Sequence, residues 1–252
     1  MRCQSLFRGL SCSAFILVLA GPVHAQDSCD QGPRGPDDID YLVTCRPAPV
    51  TLAEAAAAMQ VLPAEGTVTH LTPAQRVKLE AIRGVIGFHK REGIYRAVVV
   101  DVPQAWIGLH ARSVVLISRP LLDHLDGDEL AGLVAHEIGH EYLLRSYEAA
   151  RGRKDHAWLR RIEASCDAIA ALTVSQIGVP VTRLVRAVEK MYWFNRMRFG
   201  PADERAYPSV DSRRAELVRY GAAGSPDLRS AAVLTPDGAR RAAARPGTRP
   251  VP

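Results

Sequence analysis

Two histidines four residues apart, with a glutamate directly after the first, stand at His136-Glu137-Ile138-Gly139-His140. Residues four apart share one face of a helix, so two imidazoles there can grip a single metal ion. Glu137 projects from the adjacent position and can reach a water beside that metal as general base. Zinc suits this donor set and lowers the pKa of water toward about 7. The flanking residues Leu130, Leu133, Val134, Ala135 and Ile138 are apolar. The polar trio is therefore expected to be partly buried, where polar groups need partners, and a metal supplies one. The competing reading is two surface histidines beside a helical glutamate.

A catalytic zinc takes three protein ligands and keeps one position for water. A metzincin arrangement would need Gly and His three and six residues after His140, where the chain has Leu143 and Ser146. That arrangement is excluded. The run Glu163-Ala-Ser-Cys-Asp167 offers two acids four apart. Glu163 can be the third ligand, and Asp167 can accept a hydrogen bond from a ligand imidazole and fix its tautomer. Taken alone, the pair also reads as two solvent-facing acids on an amphipathic helix. His70, His89, His110, His124 and His156 are isolated, and each reads as a surface or packed histidine. The Met191-Tyr192-Trp193-Phe194 cluster with Met197 reads as core or cleft wall.

These residues need elements to hold them. Residues 26–50 carry Gly32, Pro33, Gly35, Pro36, Pro47 and Pro49 and read as an irregular leader. An Ala-rich stretch at 52–61 reads as a short helix. Thr72-Pro73 caps another, expected over 74–90. Strands are expected at 94–102, 105–109 and 113–118. Helices follow: one starting near Asp128 and running to 147, carrying the histidines; one over 157–177, stopped by Gly178 and Pro180; one over 181–199; and a short one over 211–220. Strands first and helices later give an α+β class, one domain over 51–221. Residues 222–252 are rich in Ala, Arg, Pro and Gly and read as a disordered tail. The chain shows no internal repeat.

The first 25 residues have a signal peptide's form. Arg2 and Arg8 precede the apolar run Ala14-Phe-Ile-Leu-Val-Leu-Ala20, and Val23-His24-Ala25 offers a cleavage site before Gln26. A membrane span would need roughly 18 apolar residues, so a cleaved leader is expected, with no span in the mature chain and a periplasmic or secreted location. Cleavage removes Arg2 and Arg8 and takes the formal charge from +5 to +3. With no basic cluster interleaved with aromatics, nucleic acid is not an expected partner. Cys29, Cys45 and Cys166 remain. In an oxidising compartment Cys29 and Cys45 are expected to bridge the leader, leaving Cys166 free and buried.

The stretch 94–220, roughly half the chain, resembles a family of zinc metallopeptidases that includes the HtpX-like heat-shock proteases, the CAAX prenyl endopeptidases and the periplasmic BepA-like proteases. The resemblance is densest from Ser113-Val-Val-Leu-Ile-Ser through Asp128-Glu-Leu-Ala to His140. It extends to Gln104-Ala105-Trp106 and to Glu163 with Asp167. It implies a gluzincin-like domain, with a small β-sheet packed on a mainly helical core and the metal between two helices. It also implies that the strand at 113–118 lines the substrate cleft. The family often carries His-Pro, with Arg six residues after that His. Here Tyr207-Pro208 and Arg213 hold those places. In the family that position stabilises the oxyanion, and a phenol can donate the same hydrogen bond. A Tyr-Pro turn that only caps a helix is the alternative.

The expectation is a zinc-dependent endopeptidase acting on polypeptides, with a place in envelope protein quality control. His136, His140 and Glu163 hold one zinc per chain, Glu137 is the base, Asp167 orients a ligand, and Tyr207 and Arg213 assist charge stabilisation. The BepA-like branch often adds a tetratricopeptide domain, which is not found here. One rival is a catalytically inactive zinc-binding pseudopeptidase that serves as a protein-binding module. The other is a structural helical protein with an accidental motif.

Overall fold

In the computed structural model, three helices start on the same local device. Thr51, Thr72 and Asp126 each accept from the backbone N–H three residues on, while Glu54, Gln75 and Glu129 return a bond to the cap. Such reciprocal caps satisfy N–H groups that a helix start leaves open. The structure describes residues 29–62, 66–201, 205 and 207–224. The expected signal peptide lies outside them, as does the expected tail beyond 224.

The elements run α1 (Tyr41–Thr44), α2 (Leu52–Gln60), α3 (Pro73–Glu80), α4 (Arg83–Phe88), β1 (Arg96–Val100), β2 (Ile107–His110), β3 (Val114–Ser118), α5 (Arg119–His124), α6 (Gly127–Tyr142), α7 (Leu144–Arg153), α8 (His156–Gln176), α9 (Val181–Phe199) and α10 (Val210–Gly224). The class is α+β, as expected. The single helix expected over 74–90 is two, α3 and α4. Val77 lies exposed while Ile82 and Val85 are buried, so no one helical face collects the apolar residues. The turn at Ala81 also abuts α6, whose Gly127 has no Cβ to meet it; one there would lie 2.9 Å from the Ala81 Cβ. The helix expected to reach 147 bends at Leu143, which is fully buried, and continues as α7. Helix α5 was not expected, although Ser118 caps it and Pro120 lies in its first turn. The expected tail boundary at 222 falls inside α10.

The three strands form one sheet in the order β1-β3-β2, with β1 parallel and β2 antiparallel to β3. Every residue of β3 is buried, which its run Val114-Val-Leu-Ile117 suits. The sheet's two faces follow the period of two. Val99, Val115, Ile117 and Ile107 join the main core, whereas Val98, Val100, Val114 and Leu116 pack with Ala58 of α2. The outer side of β1 is bridged by Thr67 to Val100, and β2 forms the other edge. The expectation that 113–118 lines a cleft is therefore corrected: β3 is central and flanked on both sides, and β2 is the strand with an edge to offer.

Helix α6 runs through the core, buried at most positions. Two glycines let neighbours approach it. A Cβ on Gly132 would lie 3.1 Å from the Leu184 Cα of α9, and one on Gly139 would lie 3.0 Å from the Cys166 Cα of α8. Two buried acids fix its ends. Glu129 meets Lys190 at 2.7 Å. Glu141 accepts from the Tyr95 hydroxyl at 2.6 Å, from Arg91 at 3.2 Å and from Arg112 at 3.0 Å. Both arginines also bond the Ala48 carbonyl, which ties the leader to this helix. The leader is less irregular than expected: Tyr41 and Leu42 of α1 are buried in the main core. Cys29 and Cys45 are joined, and Cys166 is free and buried. Among the described residues no helix is long and apolar enough to cross a membrane.

Candidate metal centre

Three elements converge on one point. Helix α6 brings His136, Glu137 and His140; α8 brings Glu163, Cys166 and Asp167; α10 brings Arg213. The close α6–α8 approach at Gly139 allows this, because side chains from both helices must meet across a short gap.

The imidazoles of His136 and His140 stand edge to face, with ring centroids 5.2 Å apart. Their Nε2 atoms turn to the same carboxylate: His136 Nε2 is 3.4 Å from Glu163 Oε2, and His140 Nε2 is 3.7 Å from Glu163 Oε1. Ligand bonds to zinc of about 2.0–2.1 Å at tetrahedral angles put neighbouring donor atoms about 3.3–3.5 Å apart. The first spacing around Glu163 falls in that range and the second lies just beyond it, while the tightest cluster of donor atoms is that of His136, Glu137 and His140. A ligand oxygen of Glu137 also lies within 4.8 Å of a ligand nitrogen of each histidine. The Leu109 backbone of β2 lies close enough to Glu137 to favour its charged form. The donor set is thus two imidazoles and a carboxylate, with a second carboxylate alongside. It fits a zinc ion.

Behind His136 the partners are firm. Its Nδ1 lies 2.8 Å from Asp167 Oδ1. Arg213 grips the same carboxylate twice, Nε to Oδ2 at 2.7 Å and a terminal nitrogen to Oδ1 at 2.6 Å. That nitrogen also lies 3.4 Å from His136 Nδ1. Because an ionised carboxylate only accepts, Nδ1 carries its proton toward Asp167, 2.8 Å away, and Nε2 is the nitrogen left to ligate. Behind His140 the partner is different: Cys166 Sγ lies 3.5 Å from Nδ1.

Electrostatics follow this layout. Burial alone would lift Asp167, but the Arg213 guanidinium and the bond from His136 hold it well below the usual carboxylate range. Burial pulls His136 down, yet its bonds to Asp167 and Glu163 outweigh that and raise it to about 10. His140, without a carboxylate behind it, is pulled by burial to about 4. Burial, with the Glu163 charge adding to it, pushes Glu137 up to about 7. A carboxyl raised into the neutral range is the kind of group that exchanges protons during catalysis.

Tyr207 precedes α10 and is 53% exposed. It lies near enough to Glu163, Tyr147 and Glu137 for their charges to add to the burial that raises it to about 12. Arg213 is committed to Asp167. It sits on the Nδ1 side of His136, 3.4 Å from that nitrogen. Sequence reasoning did not assign a role to Tyr147, whose ring stands edge-on to His140 at 5.4 Å. The bend at Leu143 hid it, because an unbroken helix would have carried it elsewhere. The Leu109 backbone was equally hidden, since no side-chain pattern reports a backbone contact. Cys166 was legible only as buried, although it occupies the same helical stretch as Glu163 and Asp167. His89 is a packed histidine, with Nδ1 3.0 Å from the Tyr142 hydroxyl and Nε2 3.1 Å from Thr173 Oγ1.

No curated protein matches the chain. A family model does match, over residues 73–150, a span from α3 into α7 that includes His136, Glu137 and His140 and stops short of Glu163. Its description is Peptidase family M48, a family of zinc metallopeptidases. Over that stretch, under a third of its length, the chain is similar to Peptidase family M48.

Proposed function

We propose that this chain is an exported zinc-dependent endopeptidase, with His136, His140 and Glu163 holding one zinc ion per chain. The observation that carries the reading is Glu163 reaching both Nε2 atoms, 3.4 and 3.7 Å away, while Asp167 fixes His136 from behind. A zinc ion there would polarise water and a substrate carbonyl, providing a nucleophile at neutral pH. Glu137 takes the proton of the attacking water and returns it to the leaving amine. Its burial and raised pKa suit both halves of that task. The Tyr207 hydroxyl donates to the oxygen that gains charge, a contact worth most in the transition state. Asp167 and Arg213 keep His136 in one tautomer.

The substrate is polypeptide, lying along the edge of β2, whose Leu109 backbone is close to Glu137. An extended chain can pair with such an edge through its backbone and so be held without strict sequence demands. The Cys29–Cys45 bridge supports a periplasmic or secreted location, where turnover of damaged envelope proteins is a fitting role. The test uses purified chain with metal analysis and casein digestion, with and without chelator. One zinc per chain and chelator-sensitive digestion are expected. Bound zinc without digestion would favour a pseudopeptidase that only binds chains, and absence of zinc would remove the centre.

A further inference from the structure

The two metal-facing histidines differ in what stands behind them. His136 has the Asp167 carboxylate, itself clamped by Arg213. His140 has sulfur, with Cys166 Sγ 3.5 Å from Nδ1. Cys166 and Asp167 are neighbours on α8, each serving one histidine, and Glu163 lies one turn earlier, between the two Nε2 atoms. The free thiol is fully buried and belongs to no disulfide. Its place is set by close packing. A Cβ on Gly139 would fall 3.0 Å from the Cys166 Cα and 3.1 Å from its Cβ, so the α6 backbone lies directly on this residue.

We propose that Cys166 is the positioning residue of His140, its sulfur accepting the Nδ1–H so that Nε2 faces the metal. The proposal rests on the zinc reading above. An imidazole that ligates through Nε2 carries its proton on Nδ1, and that proton needs an acceptor in a buried place. The flanks of the ring are taken by His136 at 5.2 Å and Tyr147 at 5.4 Å, both edge to face. Neither contact serves Nδ1. Sulfur is a weak acceptor, so His140 is held less firmly than His136. The site therefore has one stiff and one compliant ligand.

The test measures zinc affinity of the full chain by competition with a chromophoric chelator, in Cys166→Ala and Cys166→Ser. Loss of a ligand's outer partner costs about tenfold or more in metal affinity. Cys166→Ala is expected to weaken zinc binding by about that factor. Cys166→Ser, which keeps an acceptor, is expected to recover most of it. Melting curves of the chelator-stripped variants separate packing from this effect and should be alike for Ala and Ser. Unchanged affinity in Cys166→Ala overturns the proposal, as does an equal loss in both variants. Should Cys166→Ala not fold, histidine-selective NMR of the zinc-loaded Cys166→Ser chain decides. The His140 Nδ1–H signal should move while that of His136 stays, and an unmoved His140 signal overturns the proposal. If the unaltered chain binds no zinc, the metal reading falls and this one with it. If it binds zinc and His140→Ala abolishes binding while Cys166→Ala does not, only this proposal falls.

Discussion

Arg213 holds Asp167 by two parallel bonds, at 2.7 and 2.6 Å, in a pair almost wholly removed from water. Such a fork fixes the plane of the carboxylate as well as its charge. The order of control runs from Arg213 through Asp167 to His136, and only then to a metal.

Arg213→Met should therefore lower zinc affinity without touching a ligand. A loss of about tenfold to a hundredfold is expected, the range for partners one step removed from a metal. Arg213→Lys should recover little, since a point charge cannot reproduce the fork. Competition with a chelating dye measures both, and equal binding in all three chains would show that Asp167 needs no support.

Glu141 points away from the centre yet anchors the same helix. It lies among Arg91, Arg112 and Tyr95, buried with Arg91 beside it. Removing one partner of a buried pair leaves the other uncompensated, at a cost of about 3–5 kcal/mol. Glu141→Ala is expected to lose stability of that order in chemical denaturation. A loss under about 1 kcal/mol would place this cluster among ordinary surface pairs.

His89 makes a pH prediction with a definite sign. Burial, helped by the charges of Arg46 and Arg91, lowers it to about 3. The Tyr142 hydroxyl donates to the Leu42 carbonyl, so His89 Nδ1–H donates to Tyr142 and Nε2 accepts from Thr173. The folded ring is neutral, while in the unfolded chain it protonates near pH 6.5. The unfolded state then binds the extra proton between about pH 6.5 and 3, and folding stability falls as pH drops through that window. The slope approaches about 1.4 kcal/mol per pH unit. Urea titrations at several pH values should show His89→Gln lacking this component, and identical slopes in the two chains would contradict a buried neutral His89.

Much of this was legible in the sequence because its signals are local. The spacing of His136 and His140 needs only a helix, and Glu163 with Asp167 needs only a second one. Thr72-Pro73 and Gly178 with Pro180 mark helix ends by backbone chemistry alone. What stayed hidden depends on contacts distant in sequence. The break between α3 and α4 reflects Gly127 against Ala81, and the bend at Leu143 reflects burial of that side chain. The order β1-β3-β2 joins strands whose pairing no periodicity reports. The partner of Arg213 was hidden for the same reason: its distance from Tyr207 along the chain was visible, but Asp167 lies 46 residues away from it.

Tyr207 separates turnover from binding. Tyr207→Phe removes one hydroxyl, and kcat should fall by about tenfold or more with KM little changed, because the contact forms in the transition state. Steady-state kinetics on a quenched peptide measure this. Unchanged kcat would leave Tyr207 as a residue that only starts α10.

The central claim is that Glu137 does chemistry while His136, His140 and Glu163 hold the metal. Replacing Glu137 with Gln keeps its size and removes the proton acceptor. The most direct measurement is zinc content and peptide hydrolysis on the same Glu137→Gln preparation. Full zinc with hydrolysis reduced by about a hundredfold or more is the predicted result. Full zinc with undiminished hydrolysis would contradict the mechanism.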